Sequence, residues 1–533
     1  MKLNFPDSPT AAVPHGFNEV GIVGTGAMGQ GIAQMSAQAG ATVHLFDVST
    51  GAAQAAHANL LAMWAKLQAK GKITPEQATS FATHVVVAAD IESLASCDLV
   101  IEAIVERLDV KQQLFVQLEG IVDSQCVLAT NTSSLAITSV AAALSRPERF
   151  AGYHFFNPVP LMRVVEVIAG LKTNAGVCAR LSNFTSAMGH IPVQAQDTPG
   201  FIVNHAGRGY GTEALRIVSE SVADFCTIDR ILRDQMGFRL GPFELMDLTA
   251  LDVSHPVMES VYNQYYQEPR YRPSVITAQR LAGGVLGKKV GAGFYAYEGN
   301  VPNGAVITPP EPPVPNVRNM PPVWVSPKAA RRPELYQLLK DLGADIETGQ
   351  TPSEQALIVV APLGLDVTTL AAVERLDATR VIGIDMMLSD ASVKRRVLAT
   401  NPATRDDMRD AAHALFANDG KAVSVIRDSG GFVTQRVVAV VVNIAADMCQ
   451  QGICSPQDLD VAVHLGLGYP LGPLAMGDAI GPTNVLEILF NLQTVYGDPR
   501  YRPSPWLRRR GALGLSLTHL ESGSWAHVYC LSK

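Results

Sequence analysis

Metal-binding and redox cysteine patterns are missing from this chain. Its seven cysteines, at 97, 126, 178, 226, 449, 454 and 530, include no C-x-x-C pair and no metal-ligand spacing. That excludes a zinc ribbon or a thioredoxin-type dithiol and predicts buried apolar thiols in a reducing compartment, with no metal site. Basic charge is also short: 42 Lys and Arg stand against 49 Asp and Glu, a net charge of −7. General nucleic-acid binding needs a basic face to displace phosphate counterions, so no nucleic-acid partner is expected. An anionic substrate must then be met by a local basic patch. Long apolar runs are absent as well. The longest, "VVAVVVNIAADM" from Val437, is too short to cross a bilayer. The opening "MKLNFPDSPTAAVPHG" lacks the apolar stretch of a secretory signal. Together these absences predict a cytoplasmic protein with no membrane partner.

What is present is ample core material. Hydrophobic residues make up 47% and charged residues 17%, and 533 residues predict three to five domains. One stretch reads as a linker, "VPNGAVITPPEPPVPNVRNMPP", whose eight prolines remove backbone donors and favour extended chain. Across it the sequence repeats itself. "DTPGFIV" at 197 returns as "DSGGFVT" at 428, "GFRLGPFELMDLTALD" at 237 as "GLGYPLGPLAMGDAIG" from Gly466, and "EPRYRPS" at 268 as "DPRYRPS" at 498. The copies keep their order 230 or 231 residues apart, which predicts an internal duplication. Between 19 and 192, Val/Ile-rich strands ("EVGIVG", "TVHLFD", "LVIEAIV", "CVLATN", "RFAGYHFF") alternate with helical stretches. That is the pattern of a parallel sheet with crossover helices. Helical spacing takes over from 199 to 299. The second part repeats the scheme through "VWV" at 323, "ALIVVAP" at 356 and "RVIGID" at 380, with about seventy residues equivalent to 50–120 missing.

Gly24, Gly26 and Gly29 form G-x-G-x-x-G between the strand "EVGIV" and the helix "MGQGIAQMSAQAG". The first glycine permits a tight turn, the second lets the backbone approach a pyrophosphate, and the third packs helix on strand. The helix N-terminus then faces the phosphates. Asp47 ends the next strand, where a ribose-hydroxyl acceptor belongs and where its charge repels a 2′-phosphate, so NAD is expected over NADP. No Lys-Ser/Thr follows the glycines, which excludes a P-loop for triphosphates. The predicted fold class is an α/β Rossmann domain plus an all-α domain, followed by a degenerate second copy of both. The expected boundaries are 16–198 for the NAD-binding Rossmann domain and 199–299 for the helical domain. A Pro-rich linker follows over 300–322, then a reduced Rossmann-like domain over 323–427 and a second helical domain over 428–533.

In "LATNTSSLAITSVAAAL" at 128 and "RFAGYHFFNPVPLMRVVEVI" at 149, apolar strands run into polar residues where doubly wound sheets place ligands. Taken singly, Ser133 reads equally well as a helix N-cap, His154 as a core histidine and Glu166 as a surface carboxylate. Taken together, they supply a histidine oriented by a carboxylate with hydroxyl and amide donors nearby. Alcohol–ketone interconversion requires that set.

The first 300 residues resemble the NAD-dependent L-3-hydroxyacyl-CoA dehydrogenase family, in the ordered motifs "GIVGTGAMGQGIA", "IEAIVERLDVK", "NTSSL", "HFFNPVPLMRVVEV", "DTPGFIVN", "GPFELMDL" and "LGKKVGAGFYAY". The resemblance implies that His154 is the catalytic histidine, Glu166 its carboxylate partner, and Ser133 and Asn204 the substrate contacts. It puts Glu106 and Lys111 on the cofactor, with Met28, Asn131 and Asn157 on the same side as the Gly24 loop. It implies NAD as cofactor and an acyl-CoA thioester as substrate, oxidised from (3S)-3-hydroxyacyl-CoA to 3-oxoacyl-CoA. An imidazole titrating near ~6.5 suits the proton exchange. Longer members with a second, reduced Rossmann unit occur in bacterial fatty-acid and phenylacetate breakdown, and with them the resemblance covers the whole chain. Family helical domains pair into dimers, so residues 428–533 are expected on residues 199–299 as an intrachain pseudo-dimer, with homo-oligomers open.

Two departures stand out. In "NHAGRGYGTEAL", Gly207 and Gly211 share the face of Asn204. Their missing side chains either leave room for a bulky acyl tail or, slightly favoured, allow close helix packing. Arg208 meets a terminal carboxylate, such as that of hydroxyadipyl-CoA, or pairs with a nearby Glu. In the second half, His154 corresponds to Asp385, Glu166 to Val397, Ser133 to Gly364 and Asn204 to Gln435, while "VWVSPKAARRPEL" stands where the Gly loop should be. That half reads as a silent copy. Its terminal "SLTHLESGSWAHVYC" replaces the equivalent of "GKKVGAGFYAY" without a functional reading. Lys66, Lys70 and Lys72 are candidates for CoA phosphates or simply a solvated face. The competing functions are a sugar-acid or short 3-hydroxy-acid dehydrogenase of the same fold, and a non-catalytic NAD-binding protein. The intact set in the first half speaks against the latter.

Overall fold

The apolar segments pair into two separate main sheets. A computed structural model describes residues 16–388 and 393–521. The described residues form two compact units: 16–205 with 452–467 and 520–521, and 206–451 with 468–519.

The first unit holds eight strands: β1 (Glu19–Val23), β2 (Thr42–Phe46), β3 (Val85–Val87), β4 (Leu99–Glu102), β5 (Val127–Thr130), β6 (Phe150–Phe155), β7 (Val164–Ala169) and β8 (Ile191–Gln196). They lie in the order β3-β2-β1-β4-β5-β6-β7-β8. β4, β5 and β6 are buried throughout, as apolar runs covered by helices on both faces must be. The order reverses between β1 and β4, and the crevice outside the carboxyl ends of those strands is where such sheets bind ligands. One pair, β6 and β7, is antiparallel. Only residues 156–163 join them, too short a connection for a parallel crossover. The edge strand β8 is covered: Gln196 N–H donates to the carbonyl of Ile453 at 2.8 Å, and the Pro456–Leu467 helix lies on β7 and β8. One helix of the segment 428–533 thus belongs to the first unit, because an edge strand needs a cover.

In the second unit, the linker is attached to its surroundings. β10 (Val306–Ile307), inside the Pro-rich region, pairs with β9 (Ala296–Tyr297) just before it. Arg230 donates to the carbonyls of Pro309 and Pro310, and Glu311 pairs with Arg395 at 2.6 Å. Five strands follow in sequential order: β11 (Val323–Val325), β12 (Leu357–Val360), β13 (Val381–Ile384), β14 (Arg395–Thr400) and β15 (Ala422–Ile426). Again one pair, β13 and β14, is antiparallel. β11 sits beside β12 as β4 sits beside β5. The stretch "VWVSPKAARRPEL", expected where a Gly loop would stand, forms the edge strand β11 and the start of the helix Arg332–Asp341.

The unit's helices meet face to face. Arg208–Ser219 packs on Thr434–Gln450, so the longest apolar run of the chain is an interior helix. A Cβ added at Gly209 would lie 3.1 Å from Ile444 Cδ1, so the close helix approach falls at a glycine not singled out from the sequence, while one at Gly211 meets nothing within 4 Å. The buried Glu213 accepts from Arg436 Nε at 2.5 Å, Tyr501 OH at 2.7 Å and Arg500 Nη1 at 3.0 Å. The two "PRYRP" turns exchange bonds: Arg270 donates to the carbonyl of Arg502 at 2.8 Å, and Arg500 to that of Pro269 at 3.1 Å. Among the described residues no helix is long and apolar enough to cross a membrane. Most of the terminal tail lies outside the described residues.

Candidate active site

The three loop glycines are required for different reasons. Gly24 leaves β1 at φ +94°, and a Cβ there would lie 2.6 Å from the carbonyl oxygen of Ala103. One at Gly29 would lie 1.9 Å from the carbonyl oxygen of Gly24. At Gly26 a Cβ meets nothing within 4 Å. Two glycines therefore serve the protein's own packing, and Gly26 keeps open the space a pyrophosphate needs. The residues present fit a dinucleotide. Asp47 accepts from Thr25 N–H at 2.8 Å, Thr25 Oγ1 at 2.9 Å and Ser49 N–H at 2.9 Å. Burial opposes its charge, but these bonds outweigh burial and hold the carboxyl below its usual range. Met28 packs partly buried on the sheet core. Asn157 borders a cavity of about 200 Å³ shared with Gln30, Gln34, Asn59 and Met63.

A second cluster closes the ends of β4 and β5. The fully buried Glu102 accepts from Lys111 Nζ at 2.6 Å, Thr130 Oγ1 at 2.6 Å and Ile104 N–H at 2.7 Å. Lys111, 1% exposed, also pairs with Glu106 at 3.2 Å. Glu106 accepts from Thr132 Oγ1 at 2.6 Å, Ser133 N–H at 3.0 Å, and Ser134 N–H and Oγ at 3.1 and 2.9 Å. Burial again opposes charge, yet Lys111 and these donors hold Glu106 below the usual carboxylate range. Lys111 is thus a buried counter-ion, and Glu106 shapes the "NTSS" loop. Glu102 was not singled out from the sequence, although an acid closing "LVIE" with a lysine nine residues on was its signal.

The third cluster holds the histidine. His154 and Glu166 are Cα partners across β6 and β7, both buried, with Nδ1 and Oε2 2.5 Å apart. Glu166 Oε1 accepts from Ile202 N–H at 2.9 Å and Val203 N–H at 2.8 Å. The turn that aims these donors has Gly200 at φ +79° and Phe201 at φ +47°. Phe156 and Phe201 flank the imidazole at 4.5 and 5.8 Å between ring centroids. With Nδ1 committed, Nε2 is the nitrogen left for proton exchange. The Val203–Ala206 helix links the clusters, because Val203 clamps Glu166 while Asn204 Nδ2 donates to the carbonyl of Ser133 at 3.4 Å. Asn131 Oδ1 accepts from Phe155 N–H at 2.8 Å, tying β5 to β6. The structure therefore brings Ser133, His154, Glu166, Asn204, Asn131, Glu106 and Lys111 into one bonded neighbourhood. Lys66, Lys70 and Lys72 are exposed. In the second unit, burial pulls Arg208 down to about 10, against an opposing pull from Tyr469.

Around Asp385 in the second unit the polar groups satisfy one another. Asp385 accepts from Gln435 Nε2 at 2.8 Å and Met387 N–H at 3.0 Å, and Gln435 Oε1 accepts from Gly364 N–H at 2.8 Å. Burial pushes the Asp385 carboxyl up. That arrangement offers neither an imidazole nor a nucleotide loop.

Residues 19–198 match the family described as 3-hydroxyacyl-CoA dehydrogenase, NAD binding domain. Residues 200–297 and 431–521 both match 3-hydroxyacyl-CoA dehydrogenase, C-terminal domain. The chain is 39% identical to the 3-hydroxyadipyl-CoA dehydrogenase of Escherichia coli K12, over 93% of this chain and 97% of the relative. It is 38% identical to the human mitochondrial hydroxyacyl-coenzyme A dehydrogenase, over 52% of this chain and 91% of that protein. A crystal structure of 3-hydroxybutyryl-CoA dehydrogenase from Escherichia coli K12 superposes with a TM-score of 0.80 at 37% identity, covering 93% of this chain and 98% of the other.

Proposed function

The chain belongs to the 3-hydroxyacyl-CoA dehydrogenase family and oxidises a 3-hydroxyacyl-CoA with NAD, and from that premise we propose that His154 is the base of the reaction. Bound at the loop of Gly24, Gly26, Met28 and Gly29 with Asp47 on its ribose, NAD supplies the hydride acceptor. His154 Nε2 takes the proton of the 3-hydroxyl. Glu166 keeps Nδ1–H as the donor tautomer and stabilises the imidazolium as it forms. Ser133 and Asn204 hold the oxygen as it changes from alcohol to ketone, where donors act on developing charge. Glu106, held by Lys111, sets the loop that presents Ser133, while Asn131 and Asn157 line the cofactor side. The observation that carries this reading is the buried 2.5 Å His154–Glu166 contact, with the other carboxylate oxygen already tied by two backbone donors.

One observation favours a substrate whose tail ends in a carboxylate: a relative matching 93% of the chain is a 3-hydroxyadipyl-CoA dehydrogenase. Lys66, Lys70 and Lys72 meet the CoA phosphates. The test is NADH formation from hydroxybutyryl-, hydroxyhexanoyl- and hydroxyadipyl-CoA beside free hydroxy acids. Turnover of the free acids alone would favour the sugar-acid or short hydroxy-acid reading.

We read residues 323–521 as a degenerate second copy, within the five-part organisation bounded at 198, 299, 322 and 427. Several details recur at the repeat spacing. Asp197 caps Ile137 and Thr138 at 2.8 and 2.7 Å, and Asp428 caps Val367 and Thr368 at 2.8 and 2.9 Å. Phe201 and Phe432 share positive φ, at +47° and +49°. Asp247 accepts from Phe294 N–H and Asp478 from Leu517 N–H, so the start of the tail takes over a bond of "GAGFYAY". The Glu213–Arg436 contact and the exchanged "PRYRP" bonds support an intrachain pseudo-dimer. Among the described residues the six cysteines form no disulfide and five of them are buried, which supports a cytoplasmic setting.

A further inference from the structure

One helix of the silent half reaches the clamp on the catalytic carboxylate. Within the first unit, Pro456–Leu467 lies across β7 and β8. Its start is anchored where Ile453 O accepts from Gln196 N–H at 2.8 Å, and the Asp458 carboxylate accepts from Gln194 N–H. Near its end, Gly466 stands against Val203. A Cβ at 466 would lie 3.0 and 3.1 Å from the two Val203 methyl carbons and 3.6 Å from Val164 Cγ1. Both neighbours bear on the site: Val203 N–H donates to Glu166 Oε1 at 2.8 Å, and Val164 begins the strand that carries Glu166. Val203 and Val164 are at most 1% exposed, so neither has room to retreat. The pairing at the repeat spacing differs. There Gln235 takes the place of Gly466 and hydrogen-bonds Thr434, the counterpart of Val203, where Val397 leaves no carboxylate to clamp.

We propose that Gly466 is a positioning residue for the His154–Glu166 pair, so that the half without catalytic groups sets the orientation of the carboxylate in the half that has them. The proposal rests on the assignment of His154 as base. A side chain at 466 displaces Val203, loosens its bond to Glu166 and leaves the forming imidazolium less well supported.

The test uses the full chain. For Gly466→Ala, kcat falls about tenfold, since small misplacements of a catalytic group are costly. The acid limb of kcat/KM against pH moves to lower pH, while KM for NAD stays within about twofold. In Gly466→Ala/Val203→Ala, removing the methyls returns kcat to that of Val203→Ala alone. Val203→Ile presses on the same contact from the other side and keeps the test available if the alanine at 466 does not fold. An unchanged kcat and pH profile in Gly466→Ala and Val203→Ile, or a lowered Tm with normal turnover per folded molecule, overturns the inference. Full activity in His154→Gln overturns instead the assignment on which it rests.

Discussion

Glu166 stands opposite His154 across an antiparallel strand pair, and both of its carboxylate oxygens are taken: one by the imidazole at 2.5 Å, the other by the N–H groups of Ile202 and Val203. A carboxylate held at both ends cannot swing away when its partner gains a proton. On the proposed role of His154, the carboxylate is already in place to support an imidazolium as it forms.

The loop glycines separate binding from stability. Gly26→Ala adds a methyl into open space beside the nucleotide loop, so Tm is unchanged and KM for NAD rises at least about tenfold. Gly29→Ala drives a Cβ into the carbonyl of Gly24 and lowers Tm before binding is tested. Thermal unfolding alongside NAD titration distinguishes the two.

Asp47 carries coenzyme choice and loop shape together. Asp47→Asn keeps one acceptor oxygen, for Thr25 or for Ser49 but not both, and removes the charge facing a 2′-phosphate. The ratio of kcat/KM for NAD over NADP falls at least about tenfold, chiefly through the NAD value. An unchanged ratio would remove Asp47 from the cofactor site.

The sequence made some of this legible and hid other parts for physical reasons. β1, β4, β5 and β6 were readable because buried parallel strands appear as short apolar runs ending in polar residues. β3 was not, since Val85–Val87 is too short to show a period. The reversal at β7 becomes clear only when the connection over 156–163 is seen to be too short for a crossover. Glu166 looked like a surface carboxylate by residue type, and only its place opposite His154 gives it a role. The resemblance puts Lys111 on the cofactor, and a lysine's type says nothing of its burial between the carboxylates of Glu102 and Glu106. The helix Pro456–Leu467 carries no local mark of which sheet it covers.

Asp229 makes stability depend on pH. It accepts from Phe243 N–H, Glu244 N–H and Tyr295 OH, and burial pushes its carboxyl up to about 7. The folded state therefore keeps a proton that the unfolded chain loses near pH 4. This contribution is full below the unfolded value and is lost as pH rises through 7, amounting to about 4 kcal/mol. In Asp229→Asn that fall between pH 4 and 8 disappears, as denaturant unfolding at stepped pH will record.

Arg436 locks the two helical segments of the second unit. It is fully buried and bonds Glu213 at 2.5 Å and Glu220 at 2.6 Å. Arg436→Met leaves Glu213 with the Arg500 charge and the Tyr501 hydroxyl, so the loss falls toward the lower end for a broken buried pair, about 3 kcal/mol. Urea unfolding checks it; a loss below about 0.5 kcal/mol would place the pseudo-dimer contact elsewhere.

The most direct measurement is steady-state NADH formation from (3S)-3-hydroxyacyl-CoA by His154→Gln beside the unaltered chain, with NAD binding measured in both. Loss of a base at the reacting hydroxyl predicts kcat lower by about 10²–10⁴-fold with NAD affinity preserved. Undiminished turnover by His154→Gln would contradict the account.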